Sequence, residues 1–278
     1  MNSITSNIMG SAIKTNSDVV LDYIAMAPLA LAFERVVECR ILAHQTFERP
    51  MLDIGCGEGL FAKILFSEPV DTGIDPNSRE LARAHELGAY VELIECRGDS
   101  IPKTDGSYRT ILSNSVIEHI PDIQPVLLEA YRLLAPGGRM YLTVPSNRFD
   151  EYTWISQFLA ALGLDNLRRR FGEFFNRFWV HYHYHTLEHW RKIAESAGFE
   201  VIEAHTYGPR RACLLNDFLV PFSVPEYLTK KFLNRWTLFP RLRRVILTPF
   251  ALLGSLLLLG AEKCEAGGLV FLSLRKAS

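Results

Sequence analysis

The residues most able to do chemistry are three glycines and three carboxylates. Residues 52–59, LDIGCGEG, send a candidate strand into Gly55, Gly57 and Gly59 and then into a candidate helix. Glycines at the carboxyl end of a strand let a ligand approach the backbone closely, and N–H groups at the helix start can hold its polar parts. A nucleotide-like ligand is implied. The spacing is GxGxG, whereas a dinucleotide fingerprint reads GxGxxG; Leu60 occupies the last glycine position, which argues against NAD and FAD. Asp53 lies inside the strand, where a carboxylate is costly to bury unless it meets a cation or several donors. An ammonium-bearing ligand would satisfy it. About twenty residues beyond the first glycine, Asp75 ends the next candidate strand in GIDPN, placed to accept both hydroxyls of a ribose. Asp99, in RGDS after a third strand, can accept from an exocyclic adenine amine. Three carboxylates at three successive strand ends describe one adenosyl cleft.

Histidines supply the next candidates. His119, beside Glu118 in VIEHI, stands at the mouth of that cleft, either as a contact to a bound molecule or as part of a helix start. In HYHYH, His181, His183 and His185 share one face if the segment is extended. Only Glu188 is near enough in sequence to complete a metal set, so no metal site is expected, and packing is the plainer role. His119 and His183 are the candidate general bases.

The elements that must position these groups alternate. Residues 50–145 read as short apolar runs separated by helical segments, the pattern of βαβ units and a mostly parallel sheet. Strands are predicted at 51–54, 70–74, 91–94, 110–112 and 139–144, helices at 60–66, 76–87 and 123–134. After 185 the alternation resumes, with a helix over 186–197 capped by Thr186, a strand at 199–204 and a final strand at 268–274. Residues 20–43 suit one or two helices, and residues 1–19 read as a loose polar arm.

Composition bounds the rest. The 278 residues carry a formal charge of −1, which removes any global reason to expect nucleic acid as a partner. Five dispersed cysteines form no CxxC pair and point to a reducing, cytoplasmic setting. The first twenty residues lack a basic start and a long apolar stretch, so no export signal is expected. Residues 227–261 hold six basic side chains and no acidic one, and residues 245–261 are uncharged. That tract is short for a bilayer span; it reads either as a cap helix packed over the sheet or as a membrane-surface element.

Residues 52–276 resemble a class I S-adenosylmethionine-dependent methyltransferase, of the broad small-molecule group often called type 11. The matching motifs are LDIGCGEG, GIDPN, GDSIPKTDGSYRTILSNSVIEHI, LLEAYRLLAPGGRMYLTVPSN and HTLEHWRKIAESAGFEVIE. The resemblance implies an α/β, Rossmann-like, seven-stranded sheet with helices on both faces, helical cap insertions and an antiparallel last strand. It implies that Asp53 with the Gly55–Cys56–Gly57 backbone holds the methionyl end of S-adenosylmethionine. Asp75, followed by Pro76, would hold the ribose, and Asp99 with Ser100 the adenine; Asn114 and Ser115 would wall the sulfonium. The expected organisation is a helical arm at 1–45 and a methyltransferase domain at 46–278, with insertions at about 146–185 and 206–266. Within the first insertion Trp154, Phe158, Phe171, Phe174, Phe175, Phe178 and Trp179 suggest an apolar acceptor pocket or simply core. The expected activity is in-line methyl transfer to a small, apolar lipid, isoprenoid or phenolic acceptor. A noncatalytic binding protein of the same fold and a nicotinamide-dependent reductase are the alternatives.

Overall fold

The computed structural model describes residues 16–278, so residues 1–15 of the polar arm lie outside the described part. The 20–43 stretch is two helices, α1 (Asn16–Met26) and α2 (Leu29–Leu42), divided at Pro28, which has extended backbone and lacks the N–H a continuous helix would need. Then come β1 (Met51–Ile54), α3 (Leu60–Leu65), β2 (Val70–Asp75), α4 (Ser78–Leu87), β3 (Tyr90–Glu95), β4 (Tyr108–Asn114), α5 (Gln124–Leu133) and β5 (Leu134–Pro145). The strands run longer than predicted. Tyr90 joins β3 and Tyr108 joins β4, while a register shift lets Tyr108 pair with Leu134 ahead of the Pro136–Gly137–Gly138 excursion in β5.

The two insertions are helical. The first holds α6 (Trp154–Ala161) and α7 (Asp165–Phe178). It is followed by α8 (Leu187–Ser196), whose cap Thr186 accepts from the His189 N–H, and by β6 (Glu200–Tyr207). The second holds α9 (Arg210–Leu219), α10 (Val224–Leu233) and α11 (Pro240–Leu257), and β7 (Leu269–Arg275) closes the chain.

The seven strands form one sheet in the order β3-β2-β1-β4-β5-β7-β6, parallel except for β7, which runs antiparallel to both neighbours. The order reverses between β1 and β4, so a crevice opens at their carboxyl ends. Period-two alternation divides the core into two layers. Met51, Tyr141 and Phe271 face a layer built with α1, α2 and α3, whereas Leu52, Ile54, Leu142 and Leu272 face a layer built with α5 and α8. Asp53, two residues from Met51, therefore points to the face covered by the first two helices.

Candidate active site

The glycine loop satisfies itself. Gly55 and Cys56 donate their N–H groups to the Ile74 carbonyl, and Gly57 donates to Asp75 Oδ2 at 3.0 Å. β2 thus takes up the N–H groups of Gly55, Cys56 and Gly57, ahead of the helix start at Leu60. What the glycines offer instead is bare backbone. Gly55, Gly57 and Gly59 all have positive φ, and a Cβ at Gly57 would meet nothing within 4 Å, so open space faces this bend.

Asp53 is 4% exposed and accepts from the Tyr90 hydroxyl at 2.6 Å. Burial pushes its carboxyl up to about 7, against the Tyr90 hydrogen bond and with a further push from the Asp75 charge. A buried acid with one donor and no cation among the described residues is the group an ammonium would complete. Asp75 Oδ1 accepts from the Asn77 N–H at 2.8 Å, and each of its oxygens keeps a second lone pair for a diol. Pro76 is exposed at the start of α4, and the Cys56 thiol is buried beside Gly73. Burial also raises the Cys56 pKa and keeps the thiol protonated. Asp99 sits four residues beyond the end of β3 and is ion-paired with Arg97 at 2.6 Å; the Ser100 N–H donates to the Arg97 carbonyl. Asp53 is next to last in β1, Asp75 ends β2 and Asp99 follows β3; these are adjacent parallel strands, so all three acids lie toward one end of the sheet.

The structure gives Asn114 and Ser115 partners that the sequence reading missed. Glu38 of α2 is fully buried and accepts from Asn114 Nδ2 (2.8 Å), Ser115 Oγ (3.2 Å), Arg35 Nη1 (2.6 Å) and Tyr207 Oη (2.9 Å). Arg35 also donates to Ser115 Oγ at 2.6 Å, and Ser115 holds a left-handed backbone with φ 52°. The first helices therefore reach the end of β4. The signal was present in ERVVE: two glutamates four apart with an arginine beside the first, in a helix whose one other charged residue is Arg40.

Beside this network lies a cavity of about 280 Å³ between α2, the end of β4, α7, α9 and α10. Phe149, Tyr152, Phe175, Trp179 and Tyr227 supply aromatic walls, while Arg35, Glu34, Glu118 and His119 line its polar part. Glu118 is 2% exposed with Oε2 unpartnered among the described residues, and burial raises its carboxyl to about 8. Glu34, which Asn216 contacts at 3.3 Å, rises to about 7 for the same reason. His119 Nδ1 lies 3.2 Å from the Val180 carbonyl and Nε2 lies 3.8 Å from Glu118 Oε1. Burial lowers the His119 pKa, so the ring is neutral near pH 7. Nδ1–H donates to the Val180 carbonyl, which leaves Nε2 as the basic atom.

The HYHYH histidines do not share a face, because the segment is not a regular strand. His181 lines the cavity against His119, with ring centroids 5.2 Å apart. His183 is turned away: its Nε2 meets the Ile120 and Pro121 carbonyls at 3.0 and 3.1 Å, and its ring packs with His185 near Trp190. It is outside the cavity lining, so the structure corrects its candidacy as a base. No cluster of three His, Cys, Asp or Glu among the described residues can hold a metal. Of the seven aromatics read as a pocket, Phe175 and Trp179 line it; Trp154, Phe158, Phe174 and Phe178 are more than half exposed.

Comparison with known proteins supplies independent evidence. The family model of a methyltransferase domain matches residues 37–204. A ubiquinone biosynthesis O-methyltransferase of Vibrio atlanticus is 30% identical over 127 residues, 44% of this chain and 52% of its own length. The namesake from Pectobacterium carotovorum is 32% identical over 110 residues, covering 36% and 45%. The chain thus spans about half the length of these relatives. Among solved structures, an S-adenosylmethionine-dependent methyltransferase of Thermotoga maritima aligns over 89% of this chain and 91% of its own, with a TM-score of 0.51 and 17% identity. Haemonchus contortus phosphoethanolamine N-methyltransferase 2, solved with S-adenosylmethionine, aligns over 95% and 58%, with a TM-score of 0.51 and 20% identity. These structures share the fold.

Proposed function

The chain belongs to the S-adenosylmethionine-dependent methyltransferases, and from that premise we propose that it methylates an oxygen of a small acceptor with an apolar or aromatic body, seated in the cavity beside Ser115. The carrying observation is that cavity: aromatic walls, with one polar end where Glu118 and His119 meet the end of β4. The relatives named as O-methyltransferases favour oxygen as the accepting atom.

The residues present fit the donor. Asp53 lacks a cation, Asp75 keeps two free lone-pair positions, and open space faces Gly57. In this reading Asp53 takes the amino group, Asp75 the ribose and Asp99 with Ser100 the adenine. S-Adenosylmethionine supplies a methyl group already activated on a sulfonium, whose sulfur leaves as a neutral thioether with the electron pair of the broken carbon–sulfur bond. The protein's share is alignment and dryness, and well-oriented reactants gain effective concentrations of about 10⁵–10⁸ M. Phe149, Phe175, Trp179 and Tyr227 exclude water and hold the apolar body. His119 Nε2 receives the proton of the acceptor hydroxyl as its oxygen bonds to the methyl carbon. A phenol that is already ionised needs no such help.

The test is transfer of labelled methyl from S-adenosylmethionine to a panel of phenols, carboxylic acids and amines. Hydroxyl acceptors should be labelled, and His119→Ala should slow turnover of an unionised hydroxyl about 10²–10⁴-fold. For the native chain the rate should rise with pH through a value below 6.5 and then level off, since the His119 pKa is lowered from that value. Labelling of amines alone would overturn the oxygen assignment, and an unchanged rate in His119→Ala would remove the base.

A further inference from the structure

Helix α11 has one covered side and one bare side. Leu247, Ala251, Gly254 and Leu258, spaced by three and four residues, turn inward: Ala251 and Leu258 are buried, and a Cβ at Gly254 would strike the Phe33 ring. The helix packs chiefly on α1 and not on the sheet, which corrects the cap reading of this tract. Away from that stripe Leu242, Val245, Ile246, Phe250, Leu253 and Leu256 are each at least 59% exposed. Leu238 and Phe239 ahead of α11, and Leu228 and Phe232 of α10, are also more than half exposed. Monomeric soluble proteins rarely leave so many contiguous large apolar side chains in water.

Two observations identify what covers it. First, the tract offers a partner no side-chain hydrogen bonds: Thr248 and Ser255 donate back to their own helix, to the Arg244 and Leu252 carbonyls. A protein interface carries roughly one hydrogen bond per 100–200 Å², whereas hydrocarbon asks for none. Second, the rim is cationic. Lys231 and Arg241 are exposed and form no ion pair among the described residues, and Arg235 approaches only the exposed Glu86, at 3.7 Å. No acidic residue occurs from 227 to 261. No helix among the described residues is long and apolar enough to cross a bilayer. We infer that α11 lies in the plane of an anionic lipid surface, its apolar side among the acyl chains and Lys231, Arg235 and Arg241 among the headgroup phosphates. The inference does not depend on which acceptor is methylated.

Flotation of the full chain with vesicles tests it, using phosphatidylcholine alone and phosphatidylcholine with roughly one third phosphatidylglycerol. Binding should be at least tenfold tighter to the anionic vesicles and weaken with added salt. Ile246→Glu with Phe250→Glu should abolish flotation while the melting temperature and binding of S-adenosylmethionine stay unchanged, as these side chains are solvent-exposed. Lys231→Glu with Arg241→Glu should remove the preference for anionic lipid. Absence of flotation with both vesicles would overturn the inference. So would flotation indifferent to both pairs of substitutions, or a dimer in light scattering that Ile246→Glu with Phe250→Glu splits while the native chain ignores vesicles.

Discussion

Asp53 shows how one residue joins stability to binding. Its carboxyl rises from 3.8 to about 7, chiefly through burial. The folded state therefore holds its proton more tightly than the unfolded chain does. Stability linked to this group is fully present below about pH 4 and is lost as pH rises through about 7. Asp53→Asn removes that penalty, so the donor-free protein should be more stable to denaturant than the native chain at pH 8, by up to a few kcal/mol, with the difference vanishing near pH 4. The same substitution should weaken donor binding tenfold or more by calorimetry, since the ammonium loses its counter-charge. In the native chain, donor affinity should climb as pH passes through about 7; a flat profile would separate Asp53 from the ammonium. Tyr90, which donates to Asp53, packs under the loop so closely that a Cβ at Gly59 or Gly73 would come within 2.9 Å of its ring. No motif announces this tyrosine, because its partner lies 37 residues away on another strand.

At the scale of elements, α10 is fastened across the donor loop. Lys230 Nζ lies 2.8 Å from both Glu58 of the glycine run and Glu80 of α4, and the Trp236 indole donates to Glu58. Tyr227, one turn earlier on α10, lines the cavity. The helix thus touches both halves of the site. Lys230→Ala should remove roughly 1 kcal/mol of stability, and in stopped-flow measurements it should speed donor association and release together, leaving the dissociation constant within about threefold. A change confined to the dissociation constant would mean that the contact holds the donor itself and does not fasten a cover. The sequence placed this element only within an insertion at about 206–266, and its position over Glu58 was not legible, since Lys230 and Glu58 are 172 residues apart.

The molecule as a whole is knit by Glu38, a buried carboxylate whose donors come from α2, β4 and β6. Removing one partner of such a set leaves the others buried and unpaired, so Glu38→Ala should cost about 3–5 kcal/mol. Because the first two helices share one core layer with β1, β5 and β7, that loss should lower a single cooperative melting transition, by about 10 °C or more, in calorimetry. Two separated transitions would show the helical arm to be an independent unit. Glu38→Gln, which keeps the shape and one acceptor, should fall between.

The amino-acid sequence by itself determined the alternation of strands and helices over residues 50–145 and 186–204, the final strand, the glycine bend and the acidic residues at three strand ends. These are local properties: alternation, turn residues and glycine's tolerance of positive φ are written within a few neighbouring positions. Tertiary structure decided which loop amides are already spent on Ile74 and Asp75, that His181 and not His183 lines the cavity, and that Arg35 and Glu38 reach the end of β4. It also decided that α11 leaves its apolar side bare. Burial and hydrogen-bond partnership belong to pairs of groups distant in the chain, and only the packed sheet and its helical cover bring those pairs together.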